Sequence, residues 1–250
     1  MIRKPTEHII AYLDFLGTTN RIENEKDISH LEFIINSFKE ISQEIDKSNK
    51  NNRTQNYLTK LKYRSFSDNI LFVISANEPK MLLTDAFDLI LNLVSKLYFK
   101  AIQNGKLVRG GVTIGNIYVD DVTAYGKGLL RAIKLEEDIA YYPRVLVDNN
   151  IEDYLNKGYL ESDKTLLDTD CLRFVNIFKH TYINNECLQN LQETLIKMYQ
   201  KEQGNIKNMA KIMWLCKYYK SYIEKYNSSY IWIGKEQIQL STQFVSLIKN

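Results

Sequence analysis

Apolar positions along the chain recur with two spacings, one typical of strands and one typical of amphipathic helices. Residues 9–16 form an apolar run interrupted only by Asp14, and such continuity indicates a central strand buried on both faces. Residues 70–74 form a second apolar run, rich in β-branched and aromatic side chains, while 58–66 alternates imperfectly between apolar and basic residues. The turn-forming residues 67–69 separate these two segments. The pattern predicts a β-hairpin with a carboxylate, Asp68, at its tip.

Two longer segments carry apolar residues at helical spacing. We predict an amphipathic helix over Asp27–Asp46, followed by a polar, asparagine-rich loop over residues 47–56. The second helix is predicted to begin near Pro79 and to end at Asn104–Gly105, since proline suits a first helical turn and glycine a helix end.

The next predicted strand, Leu107–Val119, contains three glycines, which mark either a bulge or a close approach by backbone or ligand. A shorter helix over Gly126–Ala140 and a strand over Arg144–Val147 follow. The element order β-α-β-β-α-β is that of a ferredoxin-like arrangement. The sequence therefore predicts an α+β fold with a ferredoxin-like core.

Beyond residue 176 the pattern becomes mostly helical, with Gly204 dividing two helical segments. Residues 236–248 fit either a strand or a helix. We expect two units, a core domain over 1–175 and a helical extension over 176–250, packed on the core or on a second copy of the chain.

Composition narrows the function classes. The net charge of +3 in 250 residues, with basic and acidic residues interspersed, does not favour nucleic-acid binding. The three cysteines and three histidines show no zinc-binding spacing, which favours reduced thiols. No apolar run reaches the roughly 20 residues of a membrane span, and no signal-peptide pattern is visible. We expect a cytoplasmic protein without membrane or nucleic-acid partners.

Asp14 and Asp68 carry the candidate chemistry. In the predicted topology the first strand and the hairpin lie side by side, so the two carboxylates meet at one end of the sheet. Adjacent carboxylates coexist most easily around divalent cations, and phosphate chemistry uses two such ions. The turn through Gly17 presents backbone N–H groups that suit a polyphosphate. The alternative is a buried acid that caps a turn and an unrelated hairpin acid.

Three segments, A-Y-L-D-F-L-G, F-S-D-N and R-G-G-V-T-I-G, resemble in order and separation the class III nucleotide cyclases. The chain is similar in four segments to the pyrimidine cyclases of bacterial Pycsar antiphage systems. These segments are F-S-D, R-G-G, G-K-G-L-L-R-A-I-K-L-E-E and the following A-Y-Y-P-R. The resemblance covers about residues 8–148, with a weaker echo at 214–219. The short motifs are specific only in combination.

The resemblance implies a homodimer with two composite sites, the 1–175 domain being catalytic. One protomer would supply the metal-binding set of Asp14, Phe15 and Asp68, holding two Mg²⁺ or Mn²⁺ ions. The same protomer would bind the substrate phosphates with the turn formed by Phe15, Leu16, Gly17 and Thr18.

The other protomer would recognise the base with Arg64 and Thr123, which match the base-reading positions of adenylate cyclases. Arginine replaces the usual lysine, and its planar fork of donors suits the O2 and O4 acceptors of uracil better than the amine of cytosine. UTP is therefore favoured, and CTP stays open. The alternative for Arg64 is a solvated charge at a strand edge.

The asparagine and arginine that act on the transition state in many class III cyclases are replaced by Leu130 and Lys134. Lys134 is the catalytic candidate, because it can neutralise charge, although not in the bidentate manner of arginine. Arg131 and Lys127 are possible substitutes, or simply surface charges on a helix.

Several neighbouring residues have competing interpretations. Arg109 could contact a carboxylate near the site or the dimer interface, or form a sheet-edge salt bridge. Asp120–Asp121 is interpreted as a turn, because adjacent strand residues point to opposite faces. Tyr141–Tyr142 and Trp214, with Tyr218 and Tyr219, are interpreted as packing residues.

The predicted activity is conversion of UTP or CTP to the 3′,5′-cyclic nucleotide and pyrophosphate. The resemblance implies that the product is a messenger in antiphage defence, read by a separate effector protein. The alternative is an inactive cyclase-like nucleotide-binding regulator, which the residues at positions 130 and 134 favour. A diguanylate cyclase is disfavoured because its glycine-glycine-acid signature is missing from the hairpin.

Overall fold

A computed structural model describes residues 4–17, 28–50, 61–77, 81–155, 158–161, 163–179, 183–230 and 240–249. The predictions at Thr18, at Pro79, at residues 51–56 and at residues 58–60 lie outside these described residues. Residues 236–239, at the start of the predicted segment 236–248, also lie outside them.

Four long strands and two helices form the core in the predicted order β-α-β-β-α-β. They are β1 (Thr6–Leu16), α1 (Ser29–Lys50), β2 (Lys62–Phe66), β3 (Asn69–Ser75), α2 (Leu83–Gln103) and β4 (Leu107–Val119). The strands pair antiparallel in the order β2-β3-β1-β4, with Asp14 opposite Asn69 on one side and Arg109 on the other. This is the ferredoxin-like arrangement, so the α+β prediction is confirmed.

The predicted loop after the first helix was placed too early. Helix α1 continues through Lys50, across the first part of the polar segment 47–56. Lysine, serine and asparagine, the residues at positions 47–50, all occur within helices, so polarity alone did not mark its end.

The sheet has two faces with different coverings. Ile9, Ala11, Leu13 and Phe15 point to the larger hydrophobic core, which they share with α1 and α2. The alternate residues of β1 point to the opposite face, because side chains alternate along a strand. A smaller cluster that includes Ile10, Leu71 and Ala132 covers part of that face. Asp14 belongs to this second face.

A short strand β5 (Ala124–Tyr125) pairs with β4, and helix α3 (Lys127–Lys134) follows. The predicted helix over Gly126–Ala140 is not α-helical throughout, because Leu135–Ile139 forms a π-helix that ends with Ala140 N donating to Leu135 O at 2.9 Å. Such π-turns inside helices are frequent at functional sites. This one reorients the two acids at positions 136 and 137.

The glycines of β4 allow close approach by backbone rather than by a ligand. A Cβ at Gly115 would lie 2.9 Å from Gly128 Cα, and a Cβ at Gly111 would lie 2.7 Å from Ala132 O. Helix α3 therefore packs directly on the strand, which fixes the position of the π-helix that follows it.

Three further short strands extend the sheet beyond β4 in the order β6-β8-β7. They are β6 (Val145–Val147), β7 (Thr165–Leu167) and β8 (Arg173–Val175), with β6 parallel to β4. The buried guanidinium of Arg144 forms ion pairs with Asp168 and Asp170 beside these strands. Trp214 donates its indole N–H to Asp168 at 2.8 Å and stacks on Tyr142, so the aromatic residues are packing residues, as predicted.

The C-terminal part contains α4 (Asn185–Lys201), α5 (Ile206–Tyr230) and α6 (Thr242–Lys249). Gly204, with φ +95°, lies between α4 and α5, where the division was predicted. The segment left open as strand or helix is helical at α6. Leu188, Tyr219 and Phe244 of these helices belong to the larger core cluster. Among the described helices, none is long and apolar enough to cross a membrane.

Candidate active site

Strand β1 and the β2–β3 hairpin bring Asp14 and Asp68 next to each other. Ser67 adopts a φ of +55°, and Phe66 pairs with Asn69, so Asp68 lies at the tip of a two-residue turn. The N–H of Phe15 donates to the carbonyl of Asp68 at 3.1 Å, which ties the tip to the end of β1. The predicted juxtaposition of the two aspartates is thus present.

The two aspartates interact electrostatically. Burial raises the pKa of Asp14, the charge of Asp68 raises it further, and Arg109 opposes both effects. The repulsion between two carboxylates at this position is a cost that a bound cation would relieve.

Arg109 on β4 lies between acids of two elements. Its Nη2 atom is 3.6 Å from Asp14 Oδ2 and 2.5 Å from Glu136 Oε1. Of the competing interpretations, contact with a carboxylate near the site is the one that the geometry bears out. Arg109 neutralises part of the acidic charge around Asp14.

Glu136 on the π-helix is a site residue that the sequence analysis missed. It is buried on the same side of the sheet as Asp14, and burial raises its pKa to about 7 despite the neighbouring Arg109. Its burial could have been predicted from the sequence, because Glu136 follows Ala132 by four residues and so lies on the apolar face of the predicted helix.

Two more groups extend the cluster. Burial and the charges of Asp14 and Glu136 raise the pKa of Tyr12 to about 12, so its phenol stays protonated. Lys211 of α5 is half-buried, and burial together with Arg109 lowers its pKa, while Asp14 opposes this. A lysine from the C-terminal helices therefore lies within the electrostatic field of the site.

The phosphate-binding turn is described only in part. Phe15 is buried in the core, and Gly17 adopts a φ of +76°, in the left-handed region that glycine favours. A Cβ at Gly17 would meet no atom of the described residues within 4 Å.

Arg64 and Thr123, the two predicted base-reading residues, are connected through the turn between β4 and β5. Arg64 Nη1 donates to the carbonyl of Asp121 at 2.7 Å, within the turn that carries Thr123. The carboxylate of Asp120 accepts from the N–H groups of Val122 and Thr123, which confirms the interpretation of Asp120–Asp121 as a turn.

Helix α3 presents Leu130 and Lys134 to solvent, with Leu130 60% exposed. Arg131 instead forms a bidentate pair with Asp148, at 2.8 and 2.7 Å. Its fork is paired with Asp148 of the same chain, and the role of Arg131 as a substitute for the transition-state arginine stays a prediction.

The carboxylates of Asp14 and Asp68 are oxygen donors of the kind that Mg²⁺ and Mn²⁺ prefer. The metal-binding set of Asp14, Phe15 and Asp68 stays a prediction, with which the adjacent carboxylates are compatible. No group of three or more histidine, cysteine, aspartate or glutamate side chains suited to a metal occurs among the described residues.

No protein-family model matches the chain, and no curated protein sequence matches it. Among solved structures, the chain is similar to the catalytic core of a rhodopsin–guanylyl cyclase with converted specificity, in complex with ATPαS. The two are 13% identical, and the match covers 70% of this chain and 97% of that one, with a TM-score of 0.45.

The chain is also similar to the guanylyl cyclase domain of the RhoGC fusion protein from the aquatic fungus Blastocladiella emersonii. The two are 12% identical, and the match covers 69% of this chain and 96% of that one, with a TM-score of 0.45. A bacterial light-regulated adenylyl cyclase is 12% identical, covering 77% of this chain and 58% of that one, with a TM-score of 0.39. At such identities and scores, we base the function on the residues of this chain alone.

Proposed function

We propose that the chain is a nucleotide cyclase that converts a pyrimidine nucleoside triphosphate, UTP or CTP, to its 3′,5′-cyclic monophosphate and pyrophosphate. The proposal is supported above all by the adjacent carboxylates of Asp14 and Asp68 at the end of two central strands. The order and spacing of the cyclase-like motifs around these residues support it further.

Asp14 and Asp68, with the carbonyl of Phe15, would hold two Mg²⁺ or Mn²⁺ ions. When bound, these ions would lower the pKa of the ribose 3′-hydroxyl and neutralise charge on the departing pyrophosphate. Arg109 fits this arrangement, since it neutralises part of the acidic charge around Asp14 and has Glu136 as a second partner.

The chain's own groups position the phosphates. The turn over residues 15–18 would bind them with backbone N–H groups, leaving the α-phosphorus in line with the ribose 3′-oxygen. A bond forms between that oxygen and the α-phosphorus, and the bond to the pyrophosphate oxygen breaks. Lys134, exposed at the end of α3, would neutralise charge that builds up in this step.

Arg64 and Thr123 would recognise the base. Their proximity supports a joint role, and the carbonyl of Asp121 holds the Arg64 guanidinium in place. Because arginine offers only donors, it matches the O2 and O4 acceptors of uracil, and UTP is the favoured substrate.

A second copy of the chain would complete each site. Exposed apolar residues surround the base-reading pair on β2, the β4–β5 turn and α3: Phe66, Val122, Tyr125 and Leu130. Clustered exposed apolar side chains are typical of interaction surfaces. A homodimer that pairs these surfaces would bring Arg64 of one protomer to the carboxylates of the other.

The resemblance to the pyrimidine cyclases extends the proposal to a cellular role. The cyclic nucleotide would act as a messenger in bacterial antiphage defence, sensed by a separate effector protein.

The test is incubation of the purified protein with each of the four labelled nucleoside triphosphates and Mn²⁺, followed by chromatographic identification of products. We expect a cyclic pyrimidine nucleotide, with UTP the best substrate. Binding of a non-hydrolysable analogue without turnover of any triphosphate would instead support the inactive regulator, which the exposed Leu130 favours.

A further inference from the structure

A cavity of about 710 Å³ lies between the end of β1 and the C-terminal helices α4 and α5. Leu16 and Gly17 form one wall, and residues 103–107, after α2, form the second. Residues of α4 and α5, with the segment between them, close it. Its volume is within the range of small-ligand sites, roughly 300–1,000 Å³.

The lining of this cavity is cationic. Four lysines line it, Lys106, Lys197, Lys201 and Lys211, against a single carboxylate among the described lining residues, Glu202. That carboxylate already accepts a hydrogen bond of 2.7 Å from Asn208 Nδ2. The lining therefore carries a surplus of positive charge together with amide donors.

Two of the lysines form no close ion pair within the described part of the chain. Neither Lys201 nor Lys211 forms a hydrogen bond or an ion pair with another described residue. Lys211 is half-buried, and burial lowers its pKa, so holding its charge there has a cost that an anion would offset. Lys106 is 6% exposed, and its Nζ atom lies 5.6 Å from the centroid of the Phe33 ring, so its charge is held within the wall of the cavity.

We propose that this cavity binds an oligophosphate group, with Lys201 and Lys211 as its principal cationic partners. Compact phosphate oxygens accept several charge-assisted hydrogen bonds at once, and lysine ammonium groups are suitable donors. The group is either the tail of a nucleoside triphosphate or a free oligophosphate. The site uses Gly17 of the proposed phosphate-binding turn, but it needs neither metal ions nor catalysis.

The experiment is calorimetric titration of the full chain with inorganic tripolyphosphate, in the presence of a chelator. We expect one binding site per chain and an affinity that falls as salt is added. The double variant that carries both Lys201→Gln and Lys211→Gln should bind tripolyphosphate about tenfold more weakly, or weaker still. The matched control replaces Lys217 and Lys220, which lie on α5 outside the cavity, and should bind as the wild type does.

Lys211→Arg keeps the charge and should retain most of the binding, which separates loss of charge from loss of structure. Displacement of tripolyphosphate by a non-hydrolysable UTP analogue would assign the cavity to the substrate tail. Simultaneous binding of both would assign it to a separate oligophosphate.

Absence of tripolyphosphate binding to the wild-type chain, or equal weakening in the control variant, would overturn the inference. These outcomes are independent of the proposed function. Asp14→Ala combined with Asp68→Ala should abolish cyclic product while leaving metal-free tripolyphosphate binding intact. If the wild-type chain makes cyclic product but does not bind tripolyphosphate, the proposed function stands and the proposal of an oligophosphate site in the cavity is wrong.

Discussion

Arg109 and Glu136 form an ion pair of 2.5 Å on the sheet face that carries Asp14. Glu136 is buried, and its partner also reaches toward Asp14, at 3.6 Å. One arginine is thus shared between a buried glutamate and a proposed metal ligand. Burial raises the pKa of both Asp14 and Glu136, and the single positive charge of Arg109 does not fully offset this effect.

This relationship predicts a pH-dependent stability for the metal-free protein. The pKa of Glu136 is about 7 in the folded chain, against an ordinary value of 4.5. Between these values the folded state binds more protons than the unfolded state, so the free energy of unfolding falls as pH rises. The loss is at most about 3.5 kcal/mol, since the two pKa values differ by about 2.5 and one pKa unit is worth about 1.4 kcal/mol.

Urea denaturation at pH 5 and pH 8, in the presence of a chelator, measures this effect. Glu136→Gln should reduce the stability difference between the two pH values, while Glu152→Gln, at an exposed position, should not. An unchanged difference in Glu136→Gln would contradict the assignment of the titrating group.

Gly115→Ala should destabilise the fold. The added Cβ would lie 2.9 Å from Gly128 Cα, and neither backbone can move without shifting α3 on β4. We expect a loss of about 1–3 kcal/mol in the free energy of unfolding, as in other overpacked sites. Asn116→Ala, at the exposed neighbouring position, is the matched control, and a comparable loss there would argue against the close-approach explanation.

Arg64 should determine base selectivity. Arg64→Ala should lower kcat/KM for the preferred pyrimidine triphosphate by about tenfold or more, because a charged hydrogen bond is worth about 1.5–3 kcal/mol. Arg64→Lys should retain part of the rate and narrow the preference for UTP over CTP. Steady-state kinetics with both substrates measure this, and unchanged selectivity in both variants would exclude Arg64 from base recognition.

Composite sites predict complementation between an inactive variant and a weakened one. Asp14→Ala and Arg64→Ala disrupt opposite halves of the proposed site, so a mixed dimer would retain one intact site. Random exchange of subunits should restore about a quarter of wild-type activity. Mixing Asp14→Ala with Asp68→Ala should restore none, because both changes affect the same half. Equal behaviour of the two mixtures would contradict a site shared across the dimer.

The elements that hold Asp14 and Asp68 were predictable because their signals are local. An apolar run interrupted by one acid predicted β1, and turn-forming residues between two strand-like segments predicted the hairpin. The observed β4 has the predicted bounds, Leu107–Val119. The antiparallel register then follows from the ferredoxin-like order, which places the two acids together.

The rest of the site depends on contacts that no local pattern contains. The π-helix occurs where α3 packs against Gly111, so the burial of Glu136 is a consequence of tertiary packing. Lys211 approaches the site from a helix about 100 residues beyond β4. Amphipathic spacing predicts that such a helix is packed on the core, but it does not predict which end of which strand the helix covers.

The most direct test of the central claim is product formation by Asp14→Asn and Asp68→Asn, assayed with the preferred triphosphate and Mn²⁺ beside Asp153→Asn. Asparagine keeps the size of each side chain and removes the charge that the metal ions require. We predict that both site variants form no measurable cyclic product and bind Mn²⁺ more weakly, whereas the variant of Asp153, an exposed residue outside the proposed site, remains active. Full cyclase activity in both site variants would contradict the assignment of Asp14 and Asp68 as the catalytic carboxylates.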